Sequence, residues 1–112
     1  SYRVQDGKPI WTTTISERFE ASMGGVGPRA TPTFDRGRLY VMGATGTLQC
    51  LDAASGGPVW SYDLVSELSV AIPSWGFASS PLVIGDLVVV IAGGSPGQAI
   101  LALDRKTGTR QW

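Results

Sequence analysis

Trp60 and Trp112 each close a segment of nearly the same sequence, and this repetition limits the possible folds more than any other feature of the chain. A glycine stands four residues before each tryptophan (Gly56, Gly108) and an aspartate eight residues before it (Asp52, Asp104). Each aspartate is preceded by an apolar run, Leu48-Gln49-Cys50-Leu51 or Ile100-Leu101-Ala102-Leu103. Pro32 and Pro81 each lie 21 residues after a tryptophan (Trp11 or Trp60), with Gly27 and Gly76 five residues before them. Repetition at a period of 49 to 52 residues marks an array of blades or solenoid turns, in which one unit cannot bury its apolar face alone.

The repeats divide the chain into a half-unit, 1–11, and two whole units, 12–60 and 61–112. Ser1–Trp11 aligns without gaps on Cys50–Trp60, placing Gly7 on Gly56 and Trp11 on Trp60, while Arg3 stands where the other copies have aspartate. Each whole unit holds four expected strands. The first covers 30–34 and 79–84, the second 38–42 and 87–92, the third 47–52 and 99–104, and the fourth 58–60 and 109–112. The second strands are rich in Val, Leu and Tyr and bounded by glycine, as strands are. Asp35-Arg36-Gly37 and Gly85-Asp86 supply tight turns. No window shows a sustained helical period, so the expected class is all-β, with four antiparallel strands per unit. The second unit is longer by three residues, which fall in Gly93-Gly94-Ser95-Pro96-Gly97-Gln98. A loop can lengthen without disturbing the core.

Asp-x-x-x-Gly-x-x-x-Trp reads as turn chemistry. The aspartate accepts backbone N–H groups of the turn it opens, the glycine takes positive φ, and the tryptophan offers a flat surface to the next sheet. Calcium would need about six to eight oxygen ligands, and Ala53-Ala54-Ser55 and Arg105-Lys106-Thr107 supply few. Gly24-Gly25-Val26-Gly27-Pro28 lacks the lysine of a phosphate loop and is expected to be a flexible linker.

The segments Ala-Thr-Pro-Thr…Gly-Arg-Leu-Tyr-Val…Gly-Thr-Leu-Gln-Cys-Leu-Asp-Ala-Ala-Ser-Gly-Gly-Pro-Val-Trp and Ser-Ser-Pro-Leu-Val…Ala-Leu-Asp-Arg-Lys-Thr-Gly-Thr-Arg-Gln-Trp resemble the blade of a quinoprotein-type β-propeller. This is the repeat of pyrroloquinoline-quinone-dependent dehydrogenases and of cofactor-free relatives, among them the propeller subunit of the outer-membrane barrel assembly machinery. The resemblance covers essentially the whole chain and implies about two and a half blades. It implies that Trp11, Trp60 and Trp112 dock against the following blade, and that Arg29 and Trp75 lie near the mouth of the central channel. Trp75 is there either a core plug or a recognition residue, and Arg29 either a surface charge or a contact. The resemblance also implies a periplasmic or otherwise extracytoplasmic location, and partners that are the remaining blades of a parent protein or further copies of the chain.

The quinone site of that family uses a calcium ion, a carboxylate base and a vicinal disulfide. This sequence has one cysteine, no histidine and no asparagine, so no catalytic, cofactor or metal residue is expected in it. Pyrroloquinoline quinone and calcium belong only to the alternative, in which catalytic residues lie on other blades of a dehydrogenase. Nine basic and nine acidic residues balance and are expected to form a solvated surface. Glu17, Glu20, Asp63 and Glu67 fall in linkers. There is no basic stripe for nucleic acid and no apolar run of about 18 residues for membrane insertion. No signal peptide is read in the chain, whose expected start and stop lie inside the repeat pattern. Cys50 sits in an apolar strand as a small buried hydrophobe.

Overall fold

The computed structural model describes residues 1–21, 23–94, 97 and 99–112. Ser95, Pro96 and Gln98 of the expected insertion lie outside them. Among the described residues, nine strands and one short helix run in the order β1 (Glu20–Ala21), β2 (Gly25–Val26), β3 (Thr33–Asp35), β4 (Arg38–Met42), β5 (Thr47–Asp52), β6 (Pro58–Asp63), α1 (Leu64–Leu68), β7 (Leu82–Ile84), β8 (Leu87–Ile91) and β9 (Ile100–Asp104). Strands β3-β4-β5-β6 form one antiparallel sheet and β7-β8-β9 a second, each in chain order.

Register decides which side chains meet. Tyr40 lies opposite Cys50 and Met42 opposite Leu48, so the four share one face of the first sheet. Val88 lies opposite Leu103 and Val90 opposite Leu101 on one face of the second. All eight are buried in one cluster, so the sheets stack face to face through alternating apolar positions. The two sheets also meet at β3 and β7 and the residues just before them. Thr31 N donates to Ser80 Oγ at 2.9 Å, and the Thr33 hydroxyl to the Pro81 carbonyl.

Several expectations change. The first strands begin three residues later than expected, at Thr33 and Leu82, because Pro32 and Pro81 have no N–H for the ladder. Strands β8 and β9 each lose one terminal residue, Ala92 and Ala99. In the first unit the fourth strand runs on to Asp63, with a register shift between Cys50 and Leu51. In the second, 109–112 is no regular strand but still runs beside β9, through the bridge Leu103–Arg110 and the bonds Asp104 N to Thr109 O and Gln111 N to Ala102 O. The half-unit likewise pairs around the bridge Tyr2–Pro9, with Arg3 N on Lys8 O and Ile10 N on Ser1 O.

A helix stands where none was expected. Asp63 caps α1, accepting from Val65 N and Ser66 N, and Leu64 and Leu68 are buried one turn apart. The expected glycine-rich linker instead contributes β2, paired with β1 in a short hairpin (Glu20 opposite Val26).

Candidate functional site

The seams between blades hold the motif residues. Asp52 Oδ1 accepts from Ala54 N at 3.1 Å and Ser55 N at 3.0 Å; Asp104 Oδ1 accepts from Lys106 N at 2.8 Å and Thr107 N at 2.9 Å. These bonds favour the ionised form, so the hydrogen bonds from Ser55 and from Thr107 foremost hold the two carboxyls below the usual range. Gly56 and Gly108 close the turns at φ 73 and 74. The half-unit builds the same turn without the aspartate: Arg3 N donates to Lys8 O and Gly7 N to Arg3 O, as Asp52 N does to Gly57 O and Gly56 N to Asp52 O. There the Asp6 carboxylate caps Lys8 N instead.

Each tryptophan reaches across a seam. Trp60 Nε1 donates to the Arg105 carbonyl at 3.0 Å, and Trp11 Nε1 to the equivalent Ala53 carbonyl at 3.0 Å. The indoles press against the motif glycine of the next unit. A β-carbon at Gly108 would stand 2.7 Å from Trp60 Cδ2, and one at Gly56 would stand 2.4 Å from Trp11 Cε3. The glycine is therefore required for close approach as well as for its backbone conformation, a role the sequence reading did not give it. The pattern carried a signal, since Trp11–Gly56 and Trp60–Gly108 recur at separations of 45 and 48 residues. Trp60 is partly buried, with Tyr40 at a ring-centroid distance of 6.0 Å. Trp112, its repeat equivalent, is 56 % exposed.

Charged residues also join the sheets. Arg105 Nη1 pairs with Asp35 at 3.3 Å across the seam, and its Nε with Asp86 at 3.1 Å within its own sheet. The Arg105 side chain is only 12 % exposed. The expected solvated surface is thus wrong here, because the guanidinium fork can bridge two turns that sequence separation hides. Tyr40 Oη donates to the same Arg105 carbonyl at 3.3 Å, and burial foremost raises its phenol pKa.

The two linker residues, Arg29 and Trp75, separate. Arg29 lies over the Phe19 ring, 5.5 Å from its centroid, and donates to Gly25 O at 2.8 Å, clamping the β1–β2 hairpin. Trp75 is 55 % exposed beside the turn closed by Gly76 N to Pro73 O. Phe77, not Trp75, is the buried plug of this linker, with its N–H on Ala44 O. Glu17 accepts from the Thr45 and Thr47 hydroxyls. It borders a cleft of about 510 Å³ between the first linker and β4, with Ile15, Phe19 and Val41 on its walls.

Repeat-equivalent positions differ sharply in exposure. Met42 and Leu48 are fully buried, whereas Ile91 and Ile100 in the same places of the second unit are 59 % and 52 % exposed. On the opposite side of the array, Phe34 is exposed while its equivalent Val83 packs on the core. Each lateral face exposes large apolar side chains, Phe34 on one and Ile91 and Ile100 on the other, and the seam between the sheets shows what fits such residues.

The family model described as outer membrane protein assembly factor BamB matches residues 1–112. The chain belongs to this family. As a BamB-family chain it has the fold of part of a β-propeller, and solved structures agree. It is similar to quinohemoprotein alcohol dehydrogenase from Comamonas testosteroni (29 % identity, TM-score 0.69), covering 95 % of this chain and 16 % of that one. It is similar also to BamB from Moraxella catarrhalis (25 % identity, TM-score 0.64), covering 95 % of this chain and 26 % of that one. Among the curated proteins, none matches. The chain thus spans about a quarter or less of these propeller proteins.

Calcium and quinone, which dehydrogenase relatives would imply, do not fit the residues described. Among them no three His, Cys, Asp or Glu side chains gather to hold a metal. Asp52, Asp104 and Asp63 each turn Oδ1 to turn or helix amides, and the single cysteine, Cys50, is buried. No helix among the described residues is long and apolar enough to cross a membrane.

Proposed function

We propose that this chain is part of a quinoprotein-like propeller that serves as a non-catalytic binding or assembly scaffold in an extracytoplasmic compartment. One observation carries the reading: the repeated motif side chains are engaged in building the turns and joining blade to blade. Aspartates cap turns, Arg105 bridges two turns, and the indoles bond carbonyls of the next unit. The units 12–60 and 61–112 act as blades, and 1–11 as the end of a preceding one. Partners are further blades of a parent protein or further copies of the chain, seated on the two open apolar faces.

A head-to-tail arrangement suits these faces, because the exposed Ile91 and Ile100 face of one copy matches what the Phe34 face meets in the repeat. Such heterologous contacts close into rings when the rotation permits. Light scattering on the purified chain tests this, with a mass above the 11.8 kDa of one chain expected. A dispersed monomer at high concentration would refute self-association.

The second reading, a portion of a quinone-dependent dehydrogenase, is supported by the 29 % identity to the alcohol dehydrogenase. Addition of pyrroloquinoline quinone and calcium to the parent protein, followed by a dye-linked alcohol oxidation assay, separates the two, because turnover there is expected only of the dehydrogenase. Turnover would overturn the scaffold reading.

A further inference from the structure

Four of the nine basic residues in the chain converge on one small cleft at the seam. Arg36, Arg38, Tyr40, Arg105 and Lys106 line a space of about 280 Å³, and no acidic residue lines it. The cations come from both sheets: Arg36 and Arg38 from the β3–β4 hairpin, Arg105 and Lys106 from the turn after β9. The cleft therefore exists only where two blades are docked.

The paired carboxylates stand off the lining. Arg38 reaches Asp52 through Nη1 at 3.3 Å; Arg105 uses Nε and Nη1 on Asp86 and Asp35. Each guanidinium has five N–H donors, so both keep donors to spare. Arg36 has only a 3.8 Å approach to Asp35, and Lys106 Nζ forms no ion pair among the described residues.

An independent observation sits on the rim. Arg36 is held at φ 45, beside Gly37 at φ 77. These positions of a tight hairpin favour Gly, Asn or Asp, and the repeat equivalent of Arg36 is Gly85, at φ 58. An arginine in left-handed backbone is a local cost retained at this one turn. Such outliers point toward function.

We propose that this cleft binds a compact oxyanion, with a phosphate dianion favoured over a carboxylate because several cations face one small space. The inference does not depend on whether the parent propeller is a scaffold or an enzyme. The test titrates the full chain with inorganic phosphate, or with acetate, against chloride at matched ionic strength. The readout is the Trp60 indole N–H resonance, which reports on the Arg105 carbonyl. Saturation is expected at about 1–10 mM phosphate, the range for a few solvent-screened charge-assisted bonds, and acetate should bind more weakly.

Lys106→Ala and Arg36→Gly should each weaken phosphate about fivefold or more, and Lys8→Ala, outside the cleft, should not. Arg36→Gly also removes the unfavourable backbone, so its melting temperature should not fall. That result separates lost binding from lost folding. A resonance indifferent to phosphate, or a shift that both cleft variants retain, would overturn the proposal, as would acetate binding as tightly as phosphate.

Discussion

Replacing Gly108 with alanine adds one methyl group where the Trp60 indole crosses the seam, and its cost can be worked out in two parts. The backbone part comes from φ 74, a left-handed placement that costs an L-residue about 1–2 kcal/mol. The packing part comes from the 2.7 Å approach to Trp60 Cδ2. The indole is held there by its bond to the Arg105 carbonyl, so it must shift, and overpacking of this kind costs about 1–3 kcal/mol. The sum is about 2–5 kcal/mol. Gly37 isolates the first part, because it has φ 77 and open space around its Cβ direction; Gly37→Ala should cost about 1–2 kcal/mol.

Equilibrium urea denaturation followed by far-ultraviolet circular dichroism measures both. A double-mutant cycle completes the argument. Trp60→Ala alone should cost about 2–3 kcal/mol, less than a fully buried truncation. In its background Gly108→Ala should fall to the Gly37 value, leaving a coupling of about 1–3 kcal/mol. Equal costs for Gly108→Ala and Gly37→Ala, or an additive cycle, would show that the glycine serves only the turn.

The Asp52 and Asp104 carboxyls have lowered pKa values, so they contribute stability above the unfolded value of about 3.9. That stability is lost as pH falls through their lower folded values. Melting curves between pH 7 and pH 2 should be less pH-dependent in Asp52→Ala and Asp104→Ala, and an unchanged slope would refute the assignment. Burial raises the Cys50 thiol pKa, so its stability contribution is present below about 8.5 and declines as pH rises through the folded value. Cys50→Ala should lose part of the alkaline fall in melting temperature, and the native thiol should resist a thiol reagent until unfolding. Ile91→Lys places a charge on the open face at a position already 59 % exposed. It should abolish self-association in light scattering while leaving the melting temperature of the dilute protein unchanged; persistent assemblies would move the contact elsewhere.

Much of the fold was legible in the sequence because the repeat supplies its own alignment. Thr47–Asp52 and Arg38–Met42 stand where the repeat, the apolar composition and the bounding glycines put them. The first strands were overrun at Pro32 and Pro81, although neither proline can donate to a ladder. Helix α1 was missed because five residues are too few for a period, though Asp63 before Leu64 was a capping signal. The β1–β2 hairpin was hidden by glycines that read as flexibility. Its clamp, Arg29 on Phe19, spans ten residues with no pattern to announce it.

The sequence by itself determined the local chemistry: the repeat length, the turns, the strands and the identity of the motif residues. These follow from backbone conformation and periodicity within a few neighbours. Only the tertiary structure decided what the residues meet. It set Trp60 on Gly108 across 48 positions, brought Arg105 to Asp35 across 70, and buried Met42 while leaving Ile91 exposed. The physical reason is that these contacts belong to the stacking of one sheet on another. Stacking depends on register and distance between units, which no single unit encodes.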